Sequence, residues 1–283
     1  MVRDDSSIVA HGCVWPVVLR TDTGLASAFH LIDWAARKDS PGAGVKVLLQ
    51  CCANRAGVLV VGGSPATRKI LPAIGFKKHN TVSLLQRPLR AVQPALSQSP
   101  RDIKLPARVL RNLFRHFWPK TALPDGWSFV PVKPVGIPPE LLPGNVAGTA
   151  VSVRSPELLD HVMSCPAVSR SSCHLLMRGG TAVGYFVLLQ IRKEVRLADY
   201  GPAGLDAETA RALGSAAQAA ARLFSDCDLL SAETTEDAVR DGFFASGFRL
   251  AGEEPINFLR RDKSLPPIER FRLTMIDSDA AVL

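Results

Sequence analysis

The sequence predicts an α/β protein of two related modules, each a central mixed sheet flanked by helices. Short apolar runs of strand length alternate with capped, amphipathic stretches of helix length, which is the first sign. The second is a pattern that occurs twice. His30-Leu31-Ile32-Asp33-Trp34 and Arg196-Leu197-Ala198-Asp199-Tyr200 both read as a strand closing on Asp and an aromatic. Gly75-Phe76-Lys77 follows the first Asp by 42 residues, and Gly247-Phe248-Arg249 follows the second by 48. The third is composition. A chain of 283 residues, 47% hydrophobic and 21% charged, supports a sizeable core, and at ~100–200 residues per domain it has room for two.

Elements follow in order. Val14–Arg20 and Ala26–Trp34 read as strands around the turn Asp22-Thr23-Gly24. A helix is expected from Ala43 to Arg55 and a short apolar strand over Val58–Val61. Ser64-Pro65 starts a further helix, with Ser as N-cap and Pro at the first helical position, and Gly75 ends it. Thr81–Leu85 is the last strand of the first half. The second half repeats this order with strands at Ala182–Ile191 and Glu194–Asp199, and an Ala-rich helix from Asp206 to Phe224. A strand at Leu229–Glu233, a helix at Glu236–Ala245 closed by Gly247, and a strand at Ile256–Leu259 follow. It also has an opening that the first half lacks: a strand near Thr149–Val153, a helix capped by Ser155-Pro156, and a strand at Cys173–Met177. Aligned on Gly12 and Gly184, the first half starts about forty residues late, so the chain is truncated or another segment fills the gap. The Pro-rich linker is the expected filler, with seven prolines from Pro119 to Pro143 and a short strand at Trp127–Val132. Phe271–Met275 alternates like an edge strand. The expected segments are therefore a first module over 1–90, a basic helix and linker over 91–146, a second module over 147–262, and a tail over 263–283.

Residues 68–120 hold twelve Lys/Arg and the single acid Asp102, within a net charge of +8 for the whole chain. Such a local excess points to a local anionic partner. Its densest part, 103–120, reads as an amphipathic helix that either docks its apolar stripe inside the protein or lies on an anionic membrane surface. No aromatic stacking platform or known motif accompanies it, which argues against nucleic acid. The six cysteines show no CxxC pair and no Cys/His spacing of a zinc site, so reduced core thiols and no metal are expected. No apolar run reaches membrane-span length, and the first residues lack a signal-peptide core, so the expected compartment is cytoplasmic.

The most specific local feature is Asp39-Ser40-Pro41-Gly42-Ala43-Gly44-Val45-Lys46, between a strand and a helix. Gly42 and Gly44 let backbone N–H groups approach a ligand, the helix start aims its positive dipole end at them, and Lys46 adds a cation one turn in. The segment reads as a pyrophosphate cradle or as a plain tight turn.

Strand, Asp-aromatic, GxG, helix, strand, Ser-capped helix, Gly-Phe and strand together resemble the GNAT acetyltransferase superfamily over 8–90 and, more faintly, over 147–262. Two such modules in one chain are similar to tandem members, including FemAB-like aminoacyl transferases. The resemblance implies acetyl-CoA as cosubstrate, held by Pro41, Gly42, Ala43, Gly44, Val45 and Lys46, by the strand residues Trp34, Ala35 and Ala36, and by Ser64 at the head of its helix. It implies direct attack of an amine on the thioester, and an acceptor that no residue here identifies. Three departures stand out. Asp39 occupies the family's Arg/Gln place and brings a negative charge. Leu71 and Phe243 occupy the place of the family's acid Tyr. The second loop, Gly201-Pro202-Ala203-Gly204-Leu205-Asp206, has no GxG, and Asp206 would repel a pyrophosphate. The second module is therefore expected to bind CoA poorly.

Direct attack needs a proton acceptor and an oriented carbonyl. Asp33 is the first candidate base and His30 the second. On an ideal strand they face opposite sides. Their structural alternatives are a turn-capping or Arg-paired Asp and a packed His. Other readings also stay open: a catalytically silent binding scaffold, or a transferase acting on cell-envelope precursors. An incomplete first sheet would expose an edge that a second copy could cover.

Overall fold

The computed structural model describes residues 1–4, 7–53, 55–90, 110, 122–263 and 265–278. The expected basic helix over 103–120 therefore lies outside the described residues, Leu110 apart. In chain order the first elements are β1 (Val2–Asp4), β2 (Ser7–Thr21), β3 (Gly24–Ala36), α1 (Ala43–Cys52), β4 (Gly57–Val61), α2 (Pro65–Ala73), β5 (Lys77–Pro88), β6 (Trp127–Pro131) and β7 (Thr149–Ser152). Then come α3 (Pro156–Met163), β8 (Arg170–Arg178), β9 (Thr181–Ile191), β10 (Glu194–Gly201), α4 (Ala207–Ala221), β11 (Leu229–Thr234), α5 (Asp237–Ala245), β12 (Arg249–Arg260) and β13 (Arg270–Arg272). This is the mixed α/β architecture that the alternating pattern predicts.

Two compact units interleave along the chain. One holds Met1–Val82, Asn145–Val153 and Glu254–Phe271; the other holds Ser83–Gly144, Arg154–Glu253 and Arg272–Leu283. In the first, β2 and β3 form a long antiparallel hairpin, Thr21 opposite Gly24 at its turn. β3 then runs parallel to β4. α1 and α2 pack Leu48, Cys52 and Leu71 against Leu31, Val58, Val60 and Phe76 to make the core. Ser64 caps α2 as its sequence predicts, accepting the Thr67 N–H at 3.2 Å. In the second unit the same order recurs: β9 antiparallel to β10, β10 parallel to β11, with β8 and then β6 added beyond β9.

Each repeat's last strand pairs where contiguous modules would not put it. β4 takes Ile256–Arg260 of β12 as its antiparallel neighbour, and β11 takes Ser83–Pro88 of β5. β7, expected to open the second half, instead pairs with β2 through Leu19↔Ser152 and Arg20↔Val151. It thus supplies the first sheet with an outer strand. The Pro-rich linker does not fill that gap, because its strand β6 pairs with β8. β12 runs longer than the expected Ile256–Leu259. Pro255 does not break it, since its carbonyl accepts the Gly62 N–H at 2.9 Å and no donor is asked of it. The tail strand is shorter than expected. Thr274 and Asp277 cap each other's backbone and turn the chain into a short 3-10 helix after Arg272.

Close backbone approach fixes the helices of the second unit. A Cβ at Gly242 would lie 2.6 Å from Ala210 Cβ, and one at Gly214 would lie 2.2 Å from Ser246 Oγ, so α4 and α5 cross on glycine and alanine. The second unit also holds a buried polar network. Arg154 donates through Nε to Asp199 Oδ2 at 3.1 Å and through Nη2 to Asp277 Oδ2 at 2.6 Å. Asp199 also accepts from the Tyr185 hydroxyl and from Thr274 Oγ1, each at 2.6 Å. Burial opposes the Arg154 charge, but the two carboxylates outweigh it and raise its pKa. Burial likewise opposes the Asp277 charge, and Arg154 outweighs it, leaving that pKa lowered. Burial and Asp199 push the Tyr185 phenol up.

Replacing Arg154→Met leaves two carboxylates buried without their cation. We expect a loss of about 3–5 kcal/mol in urea unfolding. The lowered Asp277 pKa stabilises the fold above the unfolded carboxylate's value of about 3.9. That contribution disappears as pH falls below it, so the second unit should lose its near-ultraviolet circular dichroism on acidification through that range.

Candidate functional site

The first unit gathers the residues that the sequence singles out, and a β-bulge arranges them. Cys13 pairs with Asp33 and Val14 with Leu31, so Ile32 is the extra residue in β3. Phe29 lies under the Arg55 guanidinium at 3.8 Å, Leu31 packs in the core with Leu48, and the Trp34 indole N–H donates to Gly44 O at 2.7 Å. Phe29, Leu31 and Trp34 therefore all face α1, and the alternation skips at Ile32. The skip corrects the ideal-strand expectation for the two candidate bases. Trp15 pairs with His30 and Cys13 with Asp33, so His30 and Asp33 share the face opposite α1.

Their surroundings differ. His30 is buried, at 3% exposure. Asp33 is half exposed, and its Oδ2 lies 2.7 Å from His11 Nε2. His11 was not among the residues the sequence pointed to. Counting back along the hairpin from Thr21↔Gly24 would have found it, once the bulge is allowed for: His11 falls opposite Ala35, diagonal to Asp33. A carboxylate oxygen accepts, so His11 Nε2 is the donor of this pair.

The β3–β4 ladder holds Phe29↔Val58 and His30↔Leu59. Beyond it β3 continues to Ala36 beside β2, so among the described residues Leu31–Ala36 diverge from β4. α1 begins just after this divergent end. Gly42 is its N-cap at φ 81°, no side chain caps it, and no acid stands in its first turn. The Trp34–Gly44 hydrogen bond ties the first turn to β3, and a Cβ at Gly44 would come 3.1 Å from Ala36 Cβ. Trp34, Ala35, Ala36 and Gly42–Lys46 are thus brought together. Pro41, Gly42 and Lys46 are exposed, and Ala43, Gly44 and Val45 are half-buried. Ser64 spends its hydroxyl on the α2 cap and on Thr67 Oγ1 at 3.0 Å. Asp39 does not present a bare negative charge here. Arg37 Nε donates to its Oδ1 at 3.0 Å and Nη2 to its Oδ2, a fork that holds the carboxyl below its ordinary pKa. The loop therefore carries a guanidinium two residues before the family's position, a substitution that a column-by-column reading misses.

The matching place in the second unit is closed by its own acids. Asp206 caps α4 by accepting the Thr209 N–H at 2.7 Å, which lowers its pKa, and Glu208 stands in the first turn. The Gly204 N–H is taken by Glu236 Oε1 at 2.7 Å. Asp199, which closes β10 much as Asp33 stands near the end of β3, is locked in the buried network. Both tyrosines are buried, and the Tyr200 hydroxyl donates to Thr234 Oγ1 at 2.7 Å. Leu71 and Phe243, at the place of the family's acid, are also buried. All six thiols are free, and Cys13 is exposed on β2. Burial raises Cys52 to about 11 and, with Asp199, Cys173 to about 12.

Solved structures share this fold. A GCN5-related N-acetyltransferase from Anabaena variabilis matches 91% of this chain and 61% of its own at 10% identity and a TM-score of 0.54. The fold is that of the GCN5-related N-acetyltransferases. Saccharomyces cerevisiae N-myristoyltransferase, solved with bound myristoyl-CoA and inhibitors, matches over 97% of this chain and 71% of its own at 13% identity and a TM-score of 0.58. A probable N-acyltransferase from Enterococcus faecalis matches at 10% identity and 0.52, over 92% and 60%. The chain thus spans about three fifths of the length of the Anabaena and Enterococcus proteins. No protein-family model and no curated protein matches the sequence.

The site is carried by exposed groups on a stable frame. Asp33→Asn and His11→Ala should each shift urea unfolding by no more than about 0.5 kcal/mol. Gly247→Ala should cost several times as much, because its φ is 94° and a Cβ there would fall 1.4 Å from Arg87 Nη1.

Proposed function

We propose that the chain is an acyl-CoA-dependent N-acyltransferase whose working site lies in the first unit. The observation that carries this reading is the uncapped start of α1 behind Gly42, beside the divergent end of β3. The first-turn N–H groups of Gly44 and Val45, together with Lys46, suit the pyrophosphate of a CoA thioester. The absence of any acid in that first turn fits the same group. The peptide groups of Leu31–Ala36 on the side away from β2 would hold the extended arm and orient the carbonyl. The His11–Asp33 pair would take the proton of the attacking ammonium, at His11 Nδ1, with Asp33 fixing the ring. The second unit, with Asp206 and Glu236 occupying the corresponding donors, serves as structure or acceptor platform.

A second reading, a catalytically silent CoA-binding scaffold, draws on one observation. Leu71 is buried at the place of the family's acid Tyr, so no phenol protonates the leaving thiolate there. An alkyl thiolate is a far better leaving group than an amine and can depart without that help, so the buried Leu71 is compatible with turnover.

Acetyl-CoA and myristoyl-CoA should each be titrated calorimetrically against the wild type and Gly42→Val. Saturable binding that weakens at least 10-fold in the variant supports the site, and the better donor sets the acyl length. No binding of either thioester overturns the reading. With a panel of amines, Asp33→Asn and His11→Ala should lower turnover roughly 10²–10⁴-fold. Binding without turnover on any amine would favour the scaffold.

A further inference from the structure

The extra residue at Ile32 turns Trp34 toward α1, where its ring packs against the core of Leu31, Leu48 and Leu71. The core holds the ring, and the indole N–H donates to Gly44 O at 2.7 Å. That carbonyl and the Val45 N–H belong to one planar trans peptide and point opposite ways. A carbonyl held toward β3 therefore turns the Val45 N–H away from β3. The neighbouring donors are already used. Ala43 N–H goes to Ser40 O at 3.2 Å, and Lys46 N–H goes to Gly42 O at 3.0 Å. Among the described residues no side chain caps this turn, which leaves the Gly44 and Val45 N–H groups as its donors.

The two loop glycines serve different ends. Gly42 is left-handed at φ 81°, and a Cβ there would meet nothing within 4 Å among the described residues. A Cβ at Gly44 would come 3.1 Å from Ala36 Cβ and 3.5 Å from Trp34 Cζ2. Its missing side chain makes room for β3, so that the indole can reach the carbonyl. We propose that Trp34 is a positioning residue for the acyl donor. Through Gly44 O it aims the Val45 N–H at the diphosphate of CoA, and its indole sets CoA affinity without touching the ligand. A hydrogen bond accepted at the carbonyl also polarises the amide and makes its N–H a stronger donor. The proposal rests on the acyltransferase reading, which puts CoA at Gly42–Lys46.

The test titrates CoA calorimetrically into the wild type, Trp34→Phe and Gly44→Ala, and follows the amide resonance of isotope-labelled Val45 by NMR. Trp34→Phe keeps a packed ring and deletes the donor. CoA affinity should fall roughly 3–10-fold, the worth of one hydrogen bond. The Val45 amide resonance, which CoA displaces in the wild type, should move less in the variant, and the urea midpoint should stay near wild type. Gly44→Ala should weaken CoA as well, and adding Ala36→Gly, which removes the methyl group it meets, should recover most of the loss. Unchanged CoA affinity in Trp34→Phe overturns the positioning role and leaves the acyltransferase reading standing. So does weaker binding with a lowered urea midpoint and a Val45 amide that responds as in the wild type, because the ring then serves stability alone. Failure of the wild type to bind CoA overturns both.

Discussion

The second unit depends on keeping one guanidinium charged out of water. Arg154 sits among Asp199, Asp277, Thr274 and Tyr185 with almost no exposure, and these residues come from β9, β10 and the C-terminal turn. Burying such charges costs several kcal/mol per ion unless every lone pair and proton is met. The network therefore fixes where the segment after β7, the β9–β10 hairpin and the C-terminal turn must stand. Packing follows from that constraint. Tyr185, Val187 and Ala198 build their cluster around it, together with Leu159 of α3 and Met275 of the tail.

Asp33 and Asp199 stand at corresponding places in the two units, and the contrast between them is informative. Both close a strand before an aromatic, and both strands carry an irregularity there, at Ile32 in β3 and between Leu197 and Asp199 in β10. In the second unit the carboxylate is consumed by structure. In the first no such partner set surrounds it, and a surface histidine takes it up. The same divergence appears at the helix starts, where Asp206 closes α4 while Gly42 leaves α1 open. The second unit spends these groups on its frame, and the first keeps them exposed.

Local signals explain what the sequence made legible. Periodicity, the Ser64 and Ser155 caps and the glycines at 75 and 247 located nearly every helix and strand, because each depends on neighbours within a few residues. The glycine-led start of α1 at Gly42–Lys46 was legible for the same reason. Pairing was not, since β7, β12 and β5 find partners through contacts far apart in sequence. The bulge at Ile32 leaves no compositional trace, so the faces of His30 and Asp33 were misread. His11 escaped because it belongs to a strand whose register only the hairpin reveals. Arg37 escaped because it serves the loop from two residues away.

The exchanged strands also have a consequence for synthesis. The antiparallel neighbour of β4, Ile256–Arg260, is made only about 195 residues after it. A chain leaving the ribosome must carry that side of β4 unpaired until Arg260 has emerged. Long-range pairing of this kind slows folding and exposes strand edges to other chains. The nascent first half is therefore a natural client for a chaperone. A fragment ending near residue 90 would keep the strand sequences of its sheet and still lack the neighbour that completes β4.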